Sequence, residues 1–138
     1  IILMGDCNDC GTSASIGSYS DATEDTWCGR INLMLDAIIT KYPTKPITLI
    51  SNPPRGTSER YGISANAHLQ AKAMKDLADN RNLYYIDCYH TNMYRPWDTN
   101  NVTLFGNNGT DPVHLSDLGN KMMAQMIFEE LKKVGIDF

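Results

Sequence analysis

The stretch Pro46-Ile47-Thr48-Leu49-Ile50-Ser51-Asn52-Pro53-Pro54 decides the fold. A mainly apolar run, interrupted once by Thr48, stops at a polar, proline-rich break. Such a run is expected of a strand covered on both faces, and the prolines end it. Upstream, residues 23–41 read as a helix, with Ile31, Met34, Leu35, Ile38 and Ile39 on one stripe. Tyr42-Pro43 closes it, because the residue before proline avoids helical geometry. Downstream, residues 64–80 place Ala67, Ala71, Met74 and Ala78 at helical spacing.

The same alternation extends to both ends. Residues 1–4 (Ile-Ile-Leu-Met) and 83–86 (Leu-Tyr-Tyr-Ile) read as two more strands. A long polar and aromatic loop is expected over 87–114. A final helix starts near Ser116, a good N-cap, with Leu118, Met122, Met123, Met126, Ile127 and Leu131 on its inner face. Strand, helix, strand, helix, strand, helix is the order of an α/β fold with a parallel sheet and helices on its faces: three layers, α/β/α, in one domain over residues 1–138. In such sheets the binding crevice lies beyond the C-terminal strand ends. The residues expected there are Gly5 to Asp9, Ser51 to Arg55, and the loop that ends in Asp111-Pro112-Val113-His114.

Composition excludes several function classes. The chain has 138 residues and 42% apolar side chains, enough for one core and too apolar for disorder. A net charge of −4 argues against nucleic acid as the main partner, since phosphate binding needs a basic surface. No apolar run approaches the roughly 20 residues needed to span a bilayer. Four cysteines (Cys7, Cys10, Cys28, Cys88) are too few for a disulfide scaffold. Cys7-Asn8-Asp9-Cys10 has redox C-x-x-C spacing, but a Gly/Ser-rich loop follows where a redox motif should open a helix. A zinc site needs more ligands than this pair, and His68, His90 and His114 supply no paired spacing. The expectation is that Cys7 and Cys10 bind no zinc and run no redox cycle, and that no cofactor is used.

Two elements point to chemistry. Asp111 precedes His114 by three residues, just before a capped helix. A carboxylate there can fold back onto Nδ1, fix the imidazole tautomer, and leave Nε2 as a general base. Asn8 lies just beyond the first strand, where a side-chain amide can donate to a developing oxyanion. Short motifs of this kind also serve simply as turns and caps.

Taken together and in this order, Asn8-Asp9 after a strand and Asp111-x-x-His114 before a helix resemble the SGNH/GDSL serine esterases. Leu115-Ser116-Asp117-Leu118-Gly119-Asn120, Ser51-Asn52-Pro53-Pro54 and Tyr85-Ile86-Asp87 are similar to that family too. The resemblance implies a flavodoxin-like SGNH-hydrolase fold and hydrolysis of a carboxylic ester with a small acyl group, such as an acetylated carbohydrate. It makes His114 the general base, Asp111 its orienting acid and Asn8 an oxyanion-hole donor.

The chain departs from the family pattern in two ways. Asp6 stands where the usual glycine would precede Asn8 by two, and Gly5 lies one residue further off. The Gly-Asp-Ser block that carries the nucleophile, and the second oxyanion glycine, have no counterpart. Ser13, Ser15, Ser18 and Ser20 follow the wrong strand. The match therefore begins at the family's third strand. A buried strand at residue 1 agrees with about 60 or more residues lying upstream, at about 30 per βαβ unit. The expected partners are a small ester and the missing segment, or a companion chain that supplies the serine. The competing readings are a thiol redox protein and a non-catalytic carbohydrate-binding or structural module on the same fold, in which Tyr89, Tyr94 and Trp97 would stack on sugar.

Overall fold

The computed structural model describes residues 1–5, 15–56, 65–91 and 93–136. Three strands, β1 (Ile2–Met4), β2 (Thr48–Ile50) and β3 (Tyr84–Ile86), form a sheet in that spatial order. Both pairings are parallel, with Leu3, Leu49 and Tyr85 in register. The expected parallel α/β arrangement is present, and β2 is its centre.

Side-chain alternation along β2 builds two cores. Leu49 faces a cluster with Trp27, Cys28 and Leu35 of α1 (Trp27–Lys41) and Ala73, Met74, Leu77 and Ala78 of α2 (Ala65–Asn80). Ile50 faces the other way, with Ile86, Cys88 and Leu131, the last from α5 (Asp117–Lys133). One residue of register thus separates the two layers of helices. Leu35, Leu49 and Leu77 are completely buried, each a gain of about 2 kcal/mol over exposure. Burial also pushes the Cys28 thiol up to about 11 and the Cys88 thiol up to about 12.

The elements end where local chemistry dictates. Helix α1 starts at Trp27, later than the expected residue 23. Thr26 Oγ1 accepts from Gly29 N (3.1 Å) as N-cap and itself donates to Asp21 Oδ2 (2.8 Å), so residues 21–26 are held in a turn. Buried Asn32 donates to the carbonyls of Tyr19 and Asp21, and Arg81 bridges Asn32 and Asp36 from the end of α2. Helix α5 is capped by Ser116, as its sequence indicates. Its inner face is shorter than expected: Met126, Ile127 and Leu131 pack on the sheet, whereas Leu118 is 54% exposed.

The segment expected as a loop over 87–114 is instead built of short elements: α3 (Cys88–Thr91), α4 (Thr99–Phe105), and an antiparallel pair β4 (Gly106–Asn107) and β5 (Asp111–Leu115). Asp98 caps α4 through Asn100 N and Asn101 N. Asn108 and Gly109 both have positive φ, the Asn-Gly choice that tight antiparallel turns favour. Gly119 lets α5 approach α4. A Cβ there would sit 2.5 Å from the Phe105 carbonyl oxygen.

Among the described residues β1 pairs on one side only. Ile2 and Met4, on that edge strand, are nearly half exposed. No helix among the described residues is long and apolar enough to cross a membrane.

Candidate active site

Asp111 opens β5, and its carboxylate folds back over the next three residues. Oδ1 accepts from Val113 N (2.8 Å) and His114 N (3.1 Å), while Oδ2 lies 2.8 Å from His114 Nδ1. The hydrogen bond with His114, followed by the two backbone N–H bonds, holds the Asp111 carboxyl down to about 2. A carboxylate ionised at every ordinary pH accepts the Nδ1 proton and leaves the Nε2 lone pair outward. The His114 side chain is 74% exposed. The pair can therefore take a proton from a group brought to Nε2 and return it to a leaving group.

The backbone around the pair is fixed from two other segments. Gly56 N, beyond β2, donates to the Pro112 carbonyl (2.8 Å). Tyr94, almost fully buried, donates from its hydroxyl to the Asp111 carbonyl (3.2 Å). The dyad is thus tied to the chain leaving the C-terminal ends of β2 and β3, the edge where sites collect in parallel sheets.

The sequence reading missed a second pair with the same spacing. Asp87, directly after β3, holds His90 Nδ1 at 2.8 Å through Oδ2. Its Oδ1 accepts from Tyr89 N and His90 N, each at 3.0 Å. The same Asp-x-x-His pattern stands in the sequence at 87–90 as at 111–114. Around His90 the rings of Tyr89 (4.9 Å) and His68 (5.4 Å) pack edge-on.

Ser51 lies at the end of β2, beside this second pair. Its Oγ accepts from Cys88 N (2.9 Å) and Tyr89 N (3.1 Å) and donates to Asp87 Oδ1 (3.4 Å). With 2% exposure and its lone pairs taken by backbone donors, this oxygen is a structural hub and no nucleophile. Among the described residues, no serine hydroxyl hydrogen-bonds to His114, and Ser116 is occupied as the α5 cap.

Asn8, Cys7, Cys10 and Ser13 lie outside the described residues. Among the described residues no cluster of three or more His, Cys, Asp or Glu side chains is arranged to hold a metal ion. Of the three aromatics expected to stack on sugar, Tyr94 is buried as packing and as the Asp111 anchor, and Tyr89 packs against His68 and His90. Trp97 is half-buried and lines a cavity of about 210 Å³ with Pro96, Thr99, Val102, Thr110 and Pro112.

No protein-family model matches the sequence, and no curated protein matches it. Solved structures do match the fold. A crystal structure of a Lactobacillus plantarum protein superposes with a TM-score of 0.83 at 18% identity, over 96% of this chain and 66% of that one. Another crystal structure matches with the same TM-score and identity, over 96% of this chain and 64% of its own. The crystal structure of a possible lipase from Chitinophaga pinensis DSM 2588 matches with a TM-score of 0.75 at 15% identity, over 99% of this chain and 73% of that chain. The chain spans about two thirds of the length of the first two. At these identities the likeness shows a shared α/β fold, and one of the proteins that has it is described as a possible lipase.

Proposed function

We propose that this chain is the base-bearing part of a serine esterase of the SGNH/GDSL type. His114 acts as general base and acid, Asp111 orients it, and Asn8 donates to the oxyanion. The nucleophilic serine comes from sequence outside residues 1–138, either upstream or on a companion chain. In this reading His114 Nε2 takes the serine proton as Oγ attacks the ester carbonyl. It then gives that proton to the departing alkoxide, and water repeats the cycle to free the acid.

The observation that carries the reading is the surroundings of the pair: an imidazole that is 74% exposed, with Asp111 Oδ2 2.8 Å from its Nδ1, on a strand tied to the segments that follow β2 and β3. An ionised, fixed carboxylate behind an outward-facing imidazole is what acyl transfer asks of its base. The one-sided pairing of β1 fits the same picture, since that edge is where a further strand would add. The likeness in fold to a possible lipase is compatible with it.

The test is a pair of assays on p-nitrophenyl acetate. The 138-residue chain alone should show little or no hydrolysis above the buffer background. Joined to an upstream segment that carries a Gly-Asp-Ser-type turn, it should gain hydrolysis that His114→Ala removes. Hydrolysis by the chain alone that survives His114→Ala would show that His114 is not the base. An inert joined protein on a broad ester panel would favour the non-catalytic carbohydrate-binding or structural module.

A further inference from the structure

His68 and His90 stand far apart in the sequence and side by side in the fold. His68 lies on the first turn of α2 and is exposed, and the His90 side chain, just past β3, is 48% exposed. Their ring centroids are 5.4 Å apart, with the ring planes at 87°. Both are at the C-terminal edge of the sheet, where β3 ends and α2 begins. Rings that serve only as packing are sealed from water, as Tyr94 is; these two keep polar edges in solvent.

The nitrogens that remain open suit one chemistry. His90 Nδ1 is taken by Asp87 Oδ2 at 2.8 Å, which leaves Nε2 as the nitrogen able to offer a lone pair. Neither ring nitrogen of His68 has a hydrogen-bond partner among the described residues. A carboxylate behind Nδ1 is the usual outer partner of a metal-ligating histidine, because it sets the tautomer and makes the ligand nitrogen more basic. Asp87 is itself fixed: Oδ1 accepts from Tyr89 N, His90 N and Ser51 Oγ.

The spacing matches. A zinc–nitrogen bond of about 2.1 Å puts each ring centroid about 3.2 Å from the metal, so two imidazoles at a tetrahedral angle have centroids about 5.2 Å apart. The observed 5.4 Å needs only a small turn of the exposed His68 ring. Tyr89 covers one side, its ring 4.9 Å from that of His90 and 5.9 Å from that of His68. Among the described residues the Asp-x-x-His pair at 87–90 has a second imidazole in contact, and the pair at 111–114 has none.

We infer that His68 and His90 chelate one divalent transition-metal ion, zinc or nickel, through one nitrogen of each ring, with Asp87 as the outer carboxylate. Two protein ligands are fewer than the four of a closed structural zinc site. The other positions therefore belong to water or to donor atoms of a ligand, and the ion exchanges readily. Ligation by imidazole nitrogen disfavours magnesium and calcium, which take oxygen donors. The inference is independent of the role given to His114.

Calorimetric titration of zinc chloride into the tag-free chain tests the site. Cys7→Ser and Cys10→Ser serve as the background, since those thiols could bind zinc by themselves. One ion should bind per chain with a dissociation constant in the micromolar range. His68→Ala should weaken binding at least tenfold; the position is exposed on a helix and alanine favours helix, so this variant folds. His90→Ala should do the same. Asp87→Asn, which keeps an acceptor for the backbone and removes the charge, should weaken binding about tenfold. In NMR spectra zinc should shift the ring resonances of His68 and His90 and leave those of His114 in place. Magnesium in about hundredfold excess should not displace it. No saturable binding at millimolar zinc, full-strength binding in His68→Ala, or displacement by magnesium would each overturn the site. So would zinc that moves the His114 ring and not that of His68.

Discussion

Asp87-Cys88-Tyr89-His90 and Asp111-Pro112-Val113-His114 carry one side-chain geometry on two different backbones. In both, Oδ2 lies 2.8 Å from the imidazole Nδ1, and Oδ1 accepts from the N–H groups two and three residues on. The first pair starts a helical turn straight off β3 and is buttressed by Ser51 from β2. The second opens a strand, with Pro112 inside it and a cavity alongside. His90 stands among the rings of His68 and Tyr89 and is 48% exposed, against 74% for His114. The lesson is that Asp-x-x-His closes on itself for local reasons. An aspartate that caps the N–H groups at i+2 and i+3 puts its second oxygen where the histidine at i+3 finds it. The bond alone assigns no catalysis; what stands around the imidazole does.

The largest expected effect breaks the symmetry by activity. If the joined protein is the esterase proposed above, His114→Ala should lower its kcat/KM for p-nitrophenyl acetate by about 10⁴-fold, the loss expected on removing a triad base. His90→Ala should leave it within a few-fold. A reversed ranking would move the base to the β3 end and with it the whole site.

Stability should rank the pairs the other way. Ser51→Ala removes a buried oxygen that accepts from Cys88 N and Tyr89 N, and it should cost about 2 kcal/mol in urea unfolding. Asp87→Ala removes the cap of the same turn and should cost about 1 kcal/mol. Equal or smaller losses than for Asp111→Ala would mean that the first pair is no more structural than the second.

The smallest effect concerns acid. The Asp111 carboxyl titrates at about 2 when folded, below its ordinary 3.8. The unfolded chain therefore binds more protons between these values, and stability rises with pH across them. The contribution of this carboxylate is complete above pH 4 and is lost as pH falls through about 2. Asp111→Asn should flatten that part of the stability profile, measured by urea unfolding at a series of acid pH values. An unchanged slope would mean that the Asp111 bonds do not persist in solution.

The central strand is legible in the sequence because burial on both faces writes itself as a mainly apolar run, Ile47-Thr48-Leu49-Ile50, in which even the one polar side chain is buried. Helices α1 and α2 were legible from one-sided stripes. The start of α1 was not, because it depends on a bond from Thr26 to Asp21, which no stripe records. The region from 87 to 114 misled for a related reason. Elements of two to seven residues are too short for periodicity, and they are held by single side chains such as Asp98 and Asn101. The signs that were there, an Asn-Gly turn and an Asp before a helical turn, are local and easily passed over as loop. Asp111 and His114 are marked in the sequence by the capped helix that follows them, whereas Asp87 and His90 come directly off a strand and have no such marker beside them.

The placement of Cys28 and Cys88 gives the fold a chemical clock on each side of its sheet. Cys28 is sealed in the layer with α1 and α2, Cys88 in the layer with α5, and neither shows any exposure. Burial keeps both as neutral thiols, and only a thiolate in contact with solvent reacts with an alkylating reagent. Labelling must therefore wait for the layer to open, so the rate at each sulfur counts openings of its own layer. With Cys7→Ser and Cys10→Ser removing the other two thiols, mass spectrometry of the labelled chain would time the two sides separately. Unequal rates would show that the helices on one face detach while those on the other still hold.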